Sequence, residues 1–213
     1  MKLPGRLIAR PFLEKHPEYV APQLLGKLLV HRTRAGPIIG RIVEVEAYLG
    51  PHNTPPDPAA HSHRGPTPRN RVLFGPAGHA YVYAIYGMYY CMNVTCEPDG
   101  KAGCILLRAL EPVGTFSTAQ MAKNRGLAQD VEVKQLASGP SRLCIALGLT
   151  RALHNGLDLL DARSPLQLRD DGSAVDDVVI TARIGIKHAV DWPLRFIVRG
   201  HPCASGTRKM NLG

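Results

Sequence analysis

The sequence lacks any apolar run of membrane-crossing length, any cysteine pair at zinc-knuckle spacing, and any internal repeat. Each absence closes a class of function. A spanning helix needs about 20 predominantly apolar residues in a row, so a membrane-embedded protein is not expected. Gly26-Lys27 has neither the upstream glycine nor the following Ser or Thr of a P-loop, and no dinucleotide fingerprint is present. The five cysteines, Cys91, Cys96, Cys104, Cys144 and Cys203, are odd in number and widely spaced. That argues for reduced core thiols in a cytosolic protein rather than a disulfide framework. Lys2, Arg6 and Arg10 imitate the start of a signal peptide, but Pro4 and Pro11 interrupt the stretch and no apolar segment follows. A cytoplasmic protein is expected, in the compartment that holds the DNA.

Acidic residues are also scarce. There are 17 Asp and Glu against 26 Lys and Arg, a net charge of +9 with a pI near 9.6, and a basic domain of this size commonly meets a polyanion. With 45% apolar and 20% charged residues the composition is that of a globular protein. No linker divides residues 1–213, so a single domain is expected, as a monomer. Residues 18–30 read as a short helix running into a strand. Residues 38–49 read as a strong strand with Val43, Val45, Ala47 and Leu49 on one face and Ile42, Glu44, Glu46 and Tyr48 on the other. Residues 50–70 form a long loop. A β region follows over 79–95, broken at Tyr86-Gly87, and residues 103–110 make a further strand. Ser138-Gly139-Pro140-Ser141 is a helix start, Asp170-Asp171-Gly172 a turn, and residues 178–186 and 194–198 two late strands. Helices and strands mix without βαβ alternation. The fold class is therefore α+β: a largely antiparallel, curved sheet flanked by helices, with a protruding β-hairpin.

Three segments carry chemistry. In the first, Glu44, Glu46 and Tyr48 share a face of an otherwise apolar strand. By itself that pattern fits two solvent-facing acids. Arg108, however, is embedded among Ile105, Leu106, Leu107 and Leu110, and a buried arginine needs an anionic partner: Glu46, Glu44 or a phosphate. In the second, five of the seven tyrosines fall within residues 79–93. Tyr86, beside Gly87 at the hairpin tip, is placed to insert into something, as side chains do that unstack a base step. In the third, the loop holds His61, His63, Arg64, Arg69 and Arg71. Either His61 lines a base pocket while the arginines hold phosphates, or His61, His63 and Glu46 ligate a metal. One-residue histidine spacing is a weak metal signal, so no metal and no cofactor is expected.

Several strings resemble, in order, the alkyladenine (3-methyladenine) DNA glycosylase family. They are Val43-Glu44-Val45-Glu46-Ala47-Tyr48-Leu49-Gly50, Ala60-His61-Ser62, Thr67-Pro68-Arg69-Asn70, Tyr81-Val82-Tyr83 with Tyr86-Gly87-Met88, and Leu106-Leu107-Arg108-Ala109-Leu110-Glu111-Pro112. Ser138-Gly139-Pro140-Ser141, Pro193-Leu194-Arg195-Phe196 and Val198-Arg199-Gly200 extend the likeness to about residues 12–202. The resemblance implies a monofunctional glycosylase acting on damaged purines in double-stranded DNA. It makes Glu46 the base that activates water, with Arg108 beside it. Tyr48, His61 and Tyr83 become walls around a flipped base, and Asn93 the residue that disfavours the amine of normal guanine. Tyr86 becomes the wedge, with Met88 a neighbour that touches DNA. Glu44, roughly 6.6 Å from Glu46 along the strand, is open to two roles: a proton donor to the leaving base, or a structural partner for an arginine. The proline-rich loop 52–58, His63, and Leu73 in place of a methionine depart from the family pattern, and segments 115–137 and 150–177 match it weakly. A non-catalytic nucleic-acid-binding protein is the alternative reading.

A +9 protein releases counterions when it meets phosphates, so affinity for DNA should fall steeply with salt. Replacing Arg64, Arg69 and Arg71 together by Ala should flatten the slope of log K against log salt. An unchanged slope would remove these three residues from the phosphate contacts.

Overall fold

Strand pairing in the computed structural model, which describes residues 3–207 and 209–211, is antiparallel throughout. Lys2 lies outside the described residues. The strands are β1 (Arg6–Leu7), β2 (Leu28–Thr33), β3 (Gly36–Tyr48), β4 (Ala80–Ile85), β5 (Tyr89–Cys96), β6 (Gly103–Pro112), β7 (Leu166–Asp170), β8 (Val178–Thr181) and β9 (Arg195–Val198). The helices are α1 (Arg10–Leu13), α2 (Pro17–Leu24), α3 (Gly114–Asn124), α4 (Lys134–Ala137), α5 (Pro140–Leu147) and α6 (Arg151–His154). The sheet runs β1-β7-β2-β3-β6-β5-β4, with β9 joining β3 and β8. This is the expected α+β domain with a curled antiparallel sheet.

β3 is the spine. It is long enough to pair with β2 over Gly36–Arg41, with β9 over Glu44–Glu46, and with β6 from Gly40 to Tyr48. It packs on α2 and α3, while α5 packs on β5 and β6; these helices contribute Val20, Leu24, Met121, Leu143 and Leu147 to the main core. α5 starts as its sequence signals, with Gly139 at the cap and Pro140 in the first turn.

Two expectations need correction. Strict alternation put Ile42 opposite Val45 and Ala47, but all three lie in the main core, while Val43 packs separately against Ala109 and Cys203. The cause is an irregularity in the β3–β6 ladder between Ile42 and Val45, where neither Val43 nor Arg108 has a cross-strand partner in register. A bulge of this kind inverts side-chain parity. The second correction concerns 178–186: the strand ends at Thr181, and residues 182–186 leave the sheet to send Arg183 inward. β7 and α3, which the sequence reading leaves unassigned, complete the sheet edge and the core.

Behind the sheet a histidine pair joins β2 to α6. His31 Nδ1 lies 2.7 Å from the Leu147 carbonyl, so it must carry a proton. His154 Nδ1 lies 3.0 Å from Thr150 N–H and 3.1 Å from the Thr150 carbonyl, and its Nε2 faces His31 Nε2 at 3.2 Å. The two facing Nε2 atoms have room for one proton between them, so both rings cannot be charged together. Burial lowers both pKa values below the ordinary 6.5, with a further push on His154 from His31. A lowered folded-state value means that the unfolded chain binds more protons. Stability is therefore fully present above about pH 6.5 and is lost as the pH falls through the folded values. Urea midpoints measured from pH 7.5 to 5 should fall in the parent, and should fall less steeply once His31 and His154 are both replaced by Gln.

Candidate active site

Glu44 and Glu46 are both 0% exposed, so the reading of two solvent-facing acids is excluded. Arg108 does not snorkel from an edge either: β6 lies between β3 and β5, and the side chain is buried. Its Nε donates to Glu44 Oε1 at 2.7 Å, and its Nη1 lies 3.1 Å from Glu46 Oε1. Burial works against the Arg108 charge, but Glu46 and Glu44 outweigh it and hold the pKa above the usual arginine value.

The two carboxylates differ in what surrounds them. A carboxylate offers about four lone-pair positions. Glu44 Oε1 accepts from Arg108 Nε, Arg195 Nε (2.7 Å) and Ser205 Oγ (2.8 Å), and its Oε2 accepts from Ser205 N–H (2.5 Å). Three donors crowd Oε1, two of them arginines, and of the four donors only Arg108 lines the cavity in front of Glu46. Glu46 Oε1 accepts from Ile184 N–H (2.8 Å) and faces Arg108, while Oε2 accepts only the Tyr48 hydroxyl (3.0 Å) among the described residues. One position on Oε2 is left over. Arg195, wholly buried, also reaches the carbonyls of Ser205 and Met210 and the side chains of Thr181 and Asn211.

In front of Glu46 lies a cavity of about 250 Å³, at the small end for ligand sites. Tyr48, Arg108 and Ile184, the three groups that touch Glu46, line it, so the carboxylate sits one layer behind the wall. His61, Tyr81 and Tyr83 form an aromatic side. Tyr81 and Tyr83 stack at 5.3 Å, and His61 meets Tyr83 edge-on at 4.6 Å. His61 Nδ1 lies 3.0 Å from the Tyr81 hydroxyl, and burial with Arg69 nearby lowers its pKa, which favours the neutral ring. Burial, then the Glu46 charge, raises the Tyr48 pKa, so the hydroxyl stays protonated and donating. Asn93 also lines the cavity, its Oδ1 3.6 Å from Cys104 Sγ.

At the rim, Tyr86 (φ +49°) and Gly87 (φ +73°) form the hairpin tip between β4 and β5. Tyr86 is 89% exposed and Met88 70%. A left-handed conformation costs an aromatic residue about 1–2 kcal/mol, and Gly87 takes the same region freely. Arg64, Arg69 and Arg71 are exposed, and Arg69 Nη2 caps the Ala84 carbonyl at 3.2 Å. Sequence reasoning missed Asn70, which bonds the carbonyls of His61 (2.7 Å) and Gly65 (3.1 Å) and shapes the loop. It also missed Arg195, Ser205, Asp57 and Arg183. A buried Asp57 in a proline-rich loop gives no periodic signal. His61, His63 and Glu46 are not brought together: no group of three or more His, Cys, Asp or Glu stands in a metal-holding arrangement among the described residues.

Comparison with known proteins sets this site in context. A family model described as methylpurine-DNA glycosylase matches residues 11–202. Relatives named "Putative 3-methyladenine DNA glycosylase" occur in Koribacter versatilis (49% identical, covering 94% of each chain) and Methanoculleus marisnigri (48%, covering 89% of this chain and 93% of the relative). Another, from Alkaliphilus oremlandii, is 41% identical over 96% of this chain and 99% of its own. The protein is thus a DNA glycosylase, an enzyme that acts on DNA. It belongs to the methylpurine-DNA glycosylase family.

Glu44→Gln would turn an amide group towards Ser205 N–H or an arginine and leave two buried guanidiniums facing one carboxylate. Breaking a buried charge cluster in this way should cost about 3–5 kcal/mol of unfolding free energy. A loss under about 1 kcal/mol by urea titration would mean that Glu44 is not the structural hub.

Proposed function

We propose that the protein is a monofunctional glycosylase that extrudes alkylated or deaminated purines from duplex DNA and hydrolyses the N-glycosidic bond with a water activated by Glu46. The substrates are of the 3-methyladenine, 7-methylguanine, hypoxanthine and ethenoadenine class. The enzyme works as a monomer in the compartment that holds the DNA. The contrast between the two buried carboxylates carries this reading. Glu44 is bound by two arginines and Ser205, of which only Arg108 lines the cavity, whereas all three partners of Glu46, Tyr48, Ile184 and Arg108, line it and leave one position on Oε2 open.

Breaking the bond between purine and deoxyribose builds positive charge on the sugar. The Glu46 carboxylate stabilises that charge and takes the proton of the attacking water, whose oxygen bonds to the sugar carbon as the electron pair of the broken bond leaves with the base. Tyr48 O–H, Ile184 N–H and Arg108 fix the carboxylate for this task. A purine alkylated on a ring nitrogen is already cationic and leaves as a neutral base; hypoxanthine needs a proton from water or from the pocket. Glu44 is not that donor in this reading, because its four bonds keep it an acceptor. Tyr48, His61 and Tyr83 receive the base, Asn93 disfavours the guanine amine, Tyr86 fills the gap in the stack with Met88 beside it, and Arg64, Arg69 and Arg71 hold phosphates. The absence of lysine from the cavity lining supports hydrolysis without a Schiff-base step.

Glu46→Gln preserves shape. The amide can face the Tyr48 oxygen while its carbonyl keeps Ile184 and Arg108. Single-turnover base release should fall about a hundredfold to ten-thousandfold, with binding to lesion DNA retained. A variant as active per folded molecule as the parent would end the assignment. A parent enzyme that releases no base from any lesion duplex would favour the non-catalytic reading.

A further inference from the structure

Asp57 and Arg183 form an ion pair with no exposed side-chain surface on either partner. It is two-pronged: Arg183 Nη1 donates to Asp57 Oδ2 at 2.5 Å and Nη2 donates to Oδ1 at 2.9 Å. Nη1 also reaches the Ala47 carbonyl at 3.1 Å. Asp57 in turn accepts the N–H groups of Leu49 (3.2 Å) and Ala59 (3.0 Å). The guanidinium lies over the ring of Tyr48, its carbon 4.6 Å from the centroid. The next residue, Ile184, gives its N–H to Glu46.

Three chain segments therefore meet on one pair. The end of β3 brings Tyr48, the long loop brings Ala59 and His61, and residues 182–186 bring Ile184, Gly185 and Ile186, all of which line the cavity. Neither Asp57 nor Arg183 lines it. Arg183 Nε is buried with no acceptor among the described residues, a cost that a mere strut would shed through a simpler apolar contact.

We infer that Asp57 and Arg183 are positioning residues for the glycosylase reaction: they aim the Tyr48 ring and the Glu46 carboxylate, and their mutual neutrality lets the cavity accept a cationic purine. The inference rests on the proposed function. The first part follows from the bonds to Ala47, Leu49, Ala59 and, through Ile184, to Glu46. The second follows from the stack. A guanidinium behind Tyr48 repels a cationic base in front of it unless an equal negative charge cancels its field, and Asp57 supplies that charge at hydrogen-bond distance.

Three variants test this on single-lesion duplexes, with Glu46→Gln run alongside. Arg183→Lys keeps the charge but loses the planar fork and the flat cover over Tyr48. It should fold with a lowered thermal midpoint and bind lesion DNA within about threefold of the parent, yet release bases at least about tenfold more slowly per folded molecule. Asp57→Asn leaves the guanidinium uncancelled. The rate ratio of 7-methylguanine to neutral hypoxanthine should fall about tenfold, the size of a Coulomb interaction between unit charges roughly 10 Å apart at an effective dielectric constant near 20. Asp57→Asn combined with Arg183→Met removes both charges and should restore the ratio while both rates stay low. If Asp57→Asn does not fold, Arg183→Lys and the double variant decide. Parental rates per folded molecule in Arg183→Lys, with only the midpoint lowered, would reduce the pair to a strut. An unchanged lesion ratio in a folded Asp57→Asn variant would sink the charge argument. Full activity in Glu46→Gln would overturn the proposed function itself, and the inference with it; an inactive Glu46→Gln beside a fully active Arg183→Lys would overturn the inference alone.

Discussion

Two arginines and two glutamates share one buried space where β3, β6 and β9 meet, and Glu44 and Arg108 each serve two partners in it. Arg108 and Arg195 both bind Glu44, and Arg108 also reaches Glu46. Buried ions are tolerable only when paired and fully hydrogen-bonded. That constraint explains features far from the cavity. The segment around Ser205 must fold back to give Glu44 its N–H and hydroxyl, and Arg195 must be held by Thr181 and by residues 210–211. The bulge at Val43 and Arg108 fits the same need. It places Glu44 and Arg108 on one side of the sheet while Ile42 and Leu110 still reach the core.

The cluster also separates two chemically identical side chains. Glu44 and Glu46 differ by two positions on one strand, yet Glu44 meets four donors and Glu46 meets three. A carboxylate shared by two arginines and tied to Ser205 is a structural element. One whose partners all line the cavity is placed to bind and deprotonate a water there. The difference is set by Ser205 and Arg195, both distant in sequence, and by Tyr48 and Ile184, which hold Glu46 at the cavity wall.

Around this fixed centre the cavity wall comes from parts with little regular structure of their own: the long loop, residues 182–186 and the hairpin. They are held by specific polar ties, Asn70 to the loop carbonyls and Asp57 to Arg183, where apolar packing is thin. At the hairpin tip Tyr86 takes a positive φ and exposes its ring to solvent. Such placements persist where the surroundings over-determine them. Here the ladder of β4 with β5 does so.

The sequence by itself determined the α+β class, the hairpin with its exposed aromatic tip, the helix at Pro140, the need of Arg108 for a buried anion, and, through ordered motifs, the family. These are local signals: periodicity, turn residues, and the cost of burying one charge. It could not decide between Glu44, Glu46 and phosphate as the partner of Arg108, because alternation places both acids on one face and says nothing of what arrives from other strands. It could not show that residues 182–186 leave the sheet, since Thr181-Ala182-Arg183-Ile184 reads as strand until Asp57 is seen across from it. Bulges, buried ion pairs and shared donors depend on contacts more than a hundred residues apart, such as Asp57 with Arg183 or Glu44 with Ser205. Only the folded chain brings such groups close enough for charge and hydrogen bonding to choose among the arrangements that the sequence allows.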